Sequence, residues 1–415
     1  MSRTLPSARQ AAAVLVAEVT EQGRTLDDAL ADTRSFNALQ GRDRAFARAI
    51  ASATLRRLGG IDVILSRYLQ QPLPSGAGLA RAMLRTGAAQ LLVLGLPAHA
   101  VVSETVGLAQ SARSAAPFAR LMNAVLRKVA TDGVTHFATL PPGADLPDWL
   151  FTRWRAHYGG DSARAIATSL RNEAPLDITV KKDAAVWADK LGGSVFEGDT
   201  VRLNEAVDVT QAPGFSEGAW WVQDAAAAAP VRLLGDVCGL SVLDLCAAPG
   251  GKTMQLAAAG AEVTAVDISQ ERLERVRENL ARTGLTAEII CADARTYAPG
   301  RTYDVVVLDA PCSATGTLRR HPDVAWLRRP ADIASLAALQ ATLLDRAIDL
   351  TTPRGKLLYV VCSLEAEEGA AIVDAALATR PYEVEGTEFV LRTTPADRAE
   401  EGGMDGFYAR VIRRI

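Results

Sequence analysis

The sequence is poor in the residues that hold metals or staple small folds. Its 415 residues include five cysteines (Cys238, Cys246, Cys291, Cys312, Cys362) and four histidines. No two cysteines have C-x-x-C spacing and the histidines are scattered, so no metal site is expected. An odd cysteine count also argues against a disulfide framework. Long apolar runs are absent too. The nearest, AAQLLVLGLPAHAVV, is short and is broken by Gly95 and Pro97, which excludes a membrane span there. The opening MSRTLPSARQAAAVLVAEV lacks a cleavage site and carries Glu18, so it reads as a first helix rather than a signal peptide. A cytoplasmic chain with no membrane partner is the expectation. Strong charge of either sign is missing as well, since the net charge is −3. The chain as a whole therefore lacks the basic balance of a nucleic-acid binder.

What charge there is falls unevenly. Arg319, Arg320, Arg328 and Arg329 crowd one segment, and Arg153 and Arg155 stand beside Trp149 and Trp154. Basic patches with aromatics can hold phosphate, whereas charge alone is equally a solvated face.

The length calls for two or three domains. Residues 1–140 read as helical: GRDRAFARAIASATLRRLGGIDVILSRYL, GLARAMLRTGAAQLLVLG and APFARLMNAVLRKVA all carry apolar residues at helical spacing. Six or seven helices are expected there, with Pro117 opening the last. The Pro/Gly break LPPGADLPDWL begins a mixed stretch, read as a small α+β connector over 141–235. In it DWLFTRWRAHYG and GDSARAIATSLRNE look helical, and LDITVKK and TVRLNEAVDVT look like strands. The third domain spans 236–415. Its apolar runs SVLDLC, AEVTAVD, AEIICAD, YDVVVLD and KLLYVVC are mostly separated by helical stretches, and GFYARVIRRI alternates like one more strand. Such alternation specifies an α/β fold with a mostly parallel, Rossmann-like sheet covered on both faces.

Ligands of open α/β sheets bind beyond the carboxyl ends of the strands. Those ends carry Asp244 to Cys246, Asp267, Asp293, Asp309 and Cys362. After the first strand comes DLCAAPGGKT. It resembles a phosphate-binding loop, but Cys246 stands where that motif needs its first glycine, and G-x-G-x-x-G spacing is missing as well. What remains is a tight turn at Gly250 and Gly251 that admits an anionic group to backbone N–H donors. Asp267 has the position of a carboxylate that binds ribose hydroxyls, and Asp293 could then reach the base of the same cofactor. Each aspartate alone is equally well a cap or turn residue; together they favour an adenosine-containing cofactor. At the next two strand ends, Asp309, Cys312 and Cys362 should share one crevice. The helix expected from Ser363 onward would favour a Cys362 thiolate, while Glu365, Glu367 and Glu368 oppose it. Cys238 and Cys291, in apolar settings, are expected to be packing residues.

The motifs LDLCAAPGGKT, VDIS, CADA, LDAPCSATG followed by RRHPD, and VVCS with EEG closely resemble those of the RNA 5-methylcytosine methyltransferases that use S-adenosylmethionine. VQDAAA and the closing DGFYARVIRR resemble the same family's lead-in helix and last strand. RAFARAIASATLRR, LRTGAAQLLVLGLPAHAVVSETV and LMNAVLRKV are similar to a NusB-type RNA-binding domain. The combination resembles the bacterial Sun/Fmu type acting on small-subunit (16S) ribosomal RNA. The resemblance implies a class I methyltransferase fold behind a NusB-like domain, and it implies a role for each motif residue. It implies that Cys246, Ala247, Ala248, Pro249, Gly250, Gly251 and Lys252 wrap the methionine part of S-adenosylmethionine. Asp267 would hold the ribose, Asp293 would lie near the adenine, and Asp309 would border the cofactor and face the target cytosine. Cys362 matches the nucleophile and Cys312 the thiol that helps release product. Arg319, Arg320, Arg328 and Arg329 would meet RNA phosphates, and the protein would act as a monomer. Two other readings remain. A DNA cytosine-C5 methyltransferase would use Cys312 as nucleophile and leave Cys362 unexplained. A non-catalytic ribosomal-RNA-binding assembly factor would leave both thiols unexplained.

Overall fold

A computed structural model describes residues 7–205, 207–380 and 384–415. The chain forms two compact units. One comprises Met1–Asn172 with Leu318–Arg329, the other Glu173–Thr317 with Pro330–Ile415.

The first unit is helical. The opening helix, Ala8–Gln22, starts where the Ser7 hydroxyl accepts the Gln10 N–H at 3.1 Å, a cap that satisfies an otherwise orphaned donor. The first six residues of the expected helix lie outside the described residues. Eight α-helices run between Ala8 and Lys128, because the short helices Leu26–Asp32 and Arg34–Asn37 add to those expected. The stretch 41–69, read as helical from its spacing, forms two helices, Gly41–Arg56 and Leu58–Tyr68. The break serves a close approach: a Cβ on Gly59 would lie 2.4 Å from the Ala144 carbonyl oxygen. Beside it the buried Asp145 pairs with Arg57 at 2.9 Å and Arg171 at 2.7 Å. These bonds tie helices Asp148–Tyr158 and Gly160–Ser169 into the helical unit. The stretch 141–235, expected as one connector, is thus divided between the two units.

The second unit holds two sheets. Strands β1 (Asp177–Val180), β2 (Gly193–Glu197), β3 (Thr200–Leu203) and β4 (Trp220–Val222) form a small antiparallel sheet in the order β2-β3-β1-β4. Of these, β2 and β4 were not foreseen, and the strand expected over TVRLNEAVDVT ends at Leu203, with Ala206 outside the described residues. Asp177 grips Arg202 through two bonds of 2.7 and 2.8 Å, both residues buried.

The larger sheet contains β5 (Ser241–Leu245), β6 (Glu262–Asp267), β7 (Glu288–Cys291), β8 (Tyr303–Asp309), β9 (Thr351–Val361), β10 (Val384–Thr393) and β11 (Phe407–Arg414). Their order is β10-β11-β9-β8-β5-β6-β7. The pairs from β9 to β7 are parallel, and β11 is antiparallel to both its neighbours. Side chains alternate across a strand. Leu243, Val306, Leu308, Leu357 and Tyr359 therefore enter one core, and Val242, Val305, Val307, Leu358 and Val360 the other. Two covered faces explain the unbroken apolar runs of β8 and β9. The parallel pairing brings the carboxyl ends of β5, β6, β8 and β9 to one rim.

Candidate active site

The loop leaving β5 turns sharply. Cys246 adopts φ 61° and Gly250 φ 101°, just before helix Gly251–Ala258. Gly250 is needed there, since positive φ strains other residues and an added Cβ would press within 3.1 Å of the Val276 side chain. Asp267, at the end of β6 and 2% exposed, accepts the Ala248 N–H at 3.1 Å and the Ser269 N–H at 3.0 Å. It thereby fixes both turns. Arg272 donates to the Ala248 carbonyl and stands 3.7 Å from Asp267.

A cavity of about 220 Å³ opens here, lined by Cys246, Asp267, Ile268, Asp293, Ala294 and Pro311 among others. The apolar Ile268, Ala294 and Pro311 and the flanking carboxylates suit a purine ribonucleoside: a flat ring between aliphatic groups, with acceptors for hydroxyls and an amino group. Asp293 is bound to Arg295 at 3.0 and 2.5 Å, and that hydrogen bond holds its carboxyl below the usual range. Cys246 is no third nucleophile, because burial, then the charges of Asp309 and Asp267, push its thiol up to about 12.

Lys252 does more than close the loop. Its buried ammonium donates to Asp309 Oδ2 at 2.7 Å. Burial alone would lower its pKa, but the charge and hydrogen bond of Asp309 outweigh that and raise it. The spacing of the loop gave no signal of this bridge. Asp244 lies fully buried, with Oδ2 accepting the Thr253 hydroxyl at 2.6 Å, and burial raises its carboxyl to about 7.

Asp309 pairs with Val360 in the parallel register of β8 and β9, so the residues that follow each strand emerge together. The Cys312 and Cys362 sulfurs lie 3.4 Å apart and share a hydrogen bond. That bond, then burial, raises the Cys312 pKa well above the ordinary thiol value. The helix expected from Ser363 begins at Ala370 instead, so Cys362 has no helix N-terminus beside it. Residues 364–369 are spent on turns and on buried bonds to the Cys312 loop.

Other expectations need correction. Cys238 and Cys291 are exposed, not packed; Cys238 lies in the turn before β5, and Cys291 ends β7, the edge strand. Arg319, expected to meet RNA phosphate, is 2% exposed. Its segment, Leu318–Arg329, packs within the helical unit. There Arg56 donates to the Arg319 carbonyl at 2.7 Å and Trp326 to the Leu55 carbonyl at 2.9 Å, while Asp323 accepts the Leu26 N–H at 2.9 Å. Arg320 and Arg328 are half-buried and Arg329 is exposed. Trp154, beside Arg153 and Arg155, is 1% exposed and is a core residue.

A parallel sheet with acidic residues on successive strand ends, closed by a Gly-Gly turn, defines a Rossmann-like methyltransferase fold preceded by helices. Comparison with known proteins agrees. Residues 233–409 match the family described as 16S rRNA methyltransferase RsmB/F, and residues 6–131 match the NusB family. The chain is 40% identical over 389 residues to the ribosomal RNA small subunit methyltransferase B of Xanthomonas campestris pv. campestris, covering 89% of this chain and 87% of that one. Its likeness to the protein of the same name from Vibrio cholerae is 36%, over 98% and 97% of the two chains. Among solved structures, PH0851 shares the fold with a TM-score of 0.77 at 22% identity over 99% of both chains. A methyltransferase homolog protein from Pyrococcus horikoshii does so at 0.56 and 25%, over 65% of this chain and 96% of that one. The chain belongs to the RsmB/F family of ribosomal RNA methyltransferases.

Proposed function

We propose that the protein methylates C5 of a cytosine in 16S ribosomal RNA through a covalent adduct between Cys362 and C6 of the base. The observation that carries this reading is the pair of sulfurs 3.4 Å apart beside the Lys252–Asp309 bridge.

The cofactor is S-adenosylmethionine, and when bound it supplies an electrophilic methyl group. Asp267 and Asp293 suit its ribose and adenine, and the turn from Cys246 to Gly251 suits its amino-acid part. The remaining chemistry falls to the chain's own side chains. Cytosine C5 is too weakly nucleophilic to take the methyl unaided. Addition of the Cys362 thiolate to C6 pushes electron density to C5. Asp309, oriented by Lys252, faces the N3/N4 edge and offsets charge as it develops there. After transfer the C5 proton leaves, the Cys362–C6 bond breaks, and its electron pair is retained by sulfur as the C5–C6 double bond re-forms. Cys312 assists that elimination as a relay, its own thiol proton passing to water as the sulfur takes up the C5 proton. Two features count against Cys312 as the attacking thiolate and favour Cys362 for that step. Cys312 is the more deeply buried of the two thiols, and its pKa is raised. The base must be unstacked or single-stranded to enter such a site.

The test is methylation of purified 16S rRNA and of small-subunit particles, followed by bisulfite mapping. One protected cytosine that appears only with active protein and S-adenosylmethionine is expected. Methyl incorporation with no protected cytosine overturns the C5 assignment.

A further inference from the structure

Glu368 is fully buried within the loop that follows β9, and nothing in the proposed chemistry uses it. Its carboxylate accepts the Ser313 N–H at 2.8 Å, the Ser363 hydroxyl at 2.6 Å, the Gln340 side-chain amide at 3.1 Å and the Ser313 hydroxyl. Ser313 directly follows Cys312 and Ser363 directly follows Cys362. One carboxylate therefore holds the residue next to each thiol. Its four donors match the lone-pair capacity of a carboxylate; an amide in its place would turn two donors of its own toward donors.

The surrounding bonds serve the same clasp. Gln340 also donates to the Pro311 carbonyl at 2.9 Å, on the other side of Cys312. The Tyr359 hydroxyl donates to the backbone carbonyl of Glu368 at 2.6 Å and so fixes where the carboxylate starts from. The Gly316 N–H donates to the Cys362 carbonyl at 3.0 Å. Buried networks of this kind rigidify when fully satisfied.

We infer that Glu368 is a positioning residue for the thiol pair: by binding Ser313 and Ser363 together it sets the distance between the Cys312 and Cys362 sulfurs. The inference rests on the two-thiol reading of the site, deepened to name what holds the thiols in register. Supporting groups of this sort are what keep reacting atoms within a fraction of an ångström of productive geometry.

A trivalent phenylarsenical reads the spacing without substrate, because it bridges two neighbouring thiols, releasing water as both As–S bonds form. Glu368→Gln is expected to bind the arsenical at least tenfold more weakly than the wild type, with S-adenosylmethionine affinity within twofold. It should also resolve the RNA adduct at least tenfold more slowly. Should that variant fail to fold, Ser313→Ala with Ser363→Ala removes only the two hydroxyl donors and should show the same arsenical loss. Wild-type arsenical affinity in a folded variant overturns the inference. So does parallel loss of cofactor binding, which would assign Glu368 to the fold at large. If the arsenical loss is seen but Cys312→Ala forms no RNA adduct, the clasp stands and the cytosine chemistry fails.

Discussion

The Cys312 and Cys362 sulfurs are hydrogen-bonded at 3.4 Å although fifty residues separate them in the chain. The parallel register of β8 and β9 makes this possible, with Asp309 opposite Val360. A shift of that register would part the thiols. The pair is a product of the sheet, and the chemistry assigned to it inherits the sheet's rigidity.

Lys252 and Asp309 should act as one unit. Lys252→Met leaves Asp309 beside the site without its buried cation, and Asp309→Asn removes the acceptor. Each should lower single-turnover methyl transfer by about 10²–10³, the usual scale for losing one preorganised polar group. S-adenosylmethionine affinity, measured by calorimetry, should change far less. The double variant should be little worse than either single one, because coupled residues are not additive.

Asp244 gives a pH dependence of stability. Its carboxyl keeps its proton up to about pH 7 in the folded chain, against a reference value of 3.8. Between those values the folded state binds more protons than the unfolded state, so this group's contribution to stability falls as pH rises and levels off above about 7. Asp244→Asn should remove that fall. Denaturant midpoints compared at pH 5 and about pH 8 should show a smaller decline in the variant; equal declines contradict the assignment.

The arginines after Cys312 should separate into structure and binding. Arg319→Ala should lower the melting temperature, since the side chain is buried in the helical unit. Arg329→Ala should leave melting unchanged and weaken RNA binding evenly across sequences. If Arg329 meets a phosphate, the slope of log affinity against log salt drops by about 1.

Much of this was legible in the sequence for identifiable reasons. Two covered faces gave β8 and β9 their unbroken apolar runs, and the acids at the strand ends marked the rim. Local pattern leaves the roles of Cys312 and Cys362 open, and only the motif resemblance proposes different roles for them. Contacts distant in sequence were not legible. Nothing near Arg319 announces that its segment packs with the first helices, and nothing near Lys252 points to Asp309. The helix expected at Ser363 failed because the apparent periodicity of EAEEGAAIVDAAL includes Glu368, whose side chain is committed to Ser313 and Ser363. The exposure of Cys291 follows from β7 being an edge strand, which its own sequence cannot state.

The central claim is that Cys362 attacks and Cys312 releases. Cys312→Ala and Cys362→Ala proteins, incubated with 16S rRNA and S-adenosylmethionine and run on a denaturing gel, test it most directly. Cys312→Ala should give a protein–RNA band that survives denaturation, and Cys362→Ala should give neither adduct nor methyl transfer. An adduct formed by Cys362→Ala, or full methyl transfer without Cys362, would show that the roles are wrongly assigned.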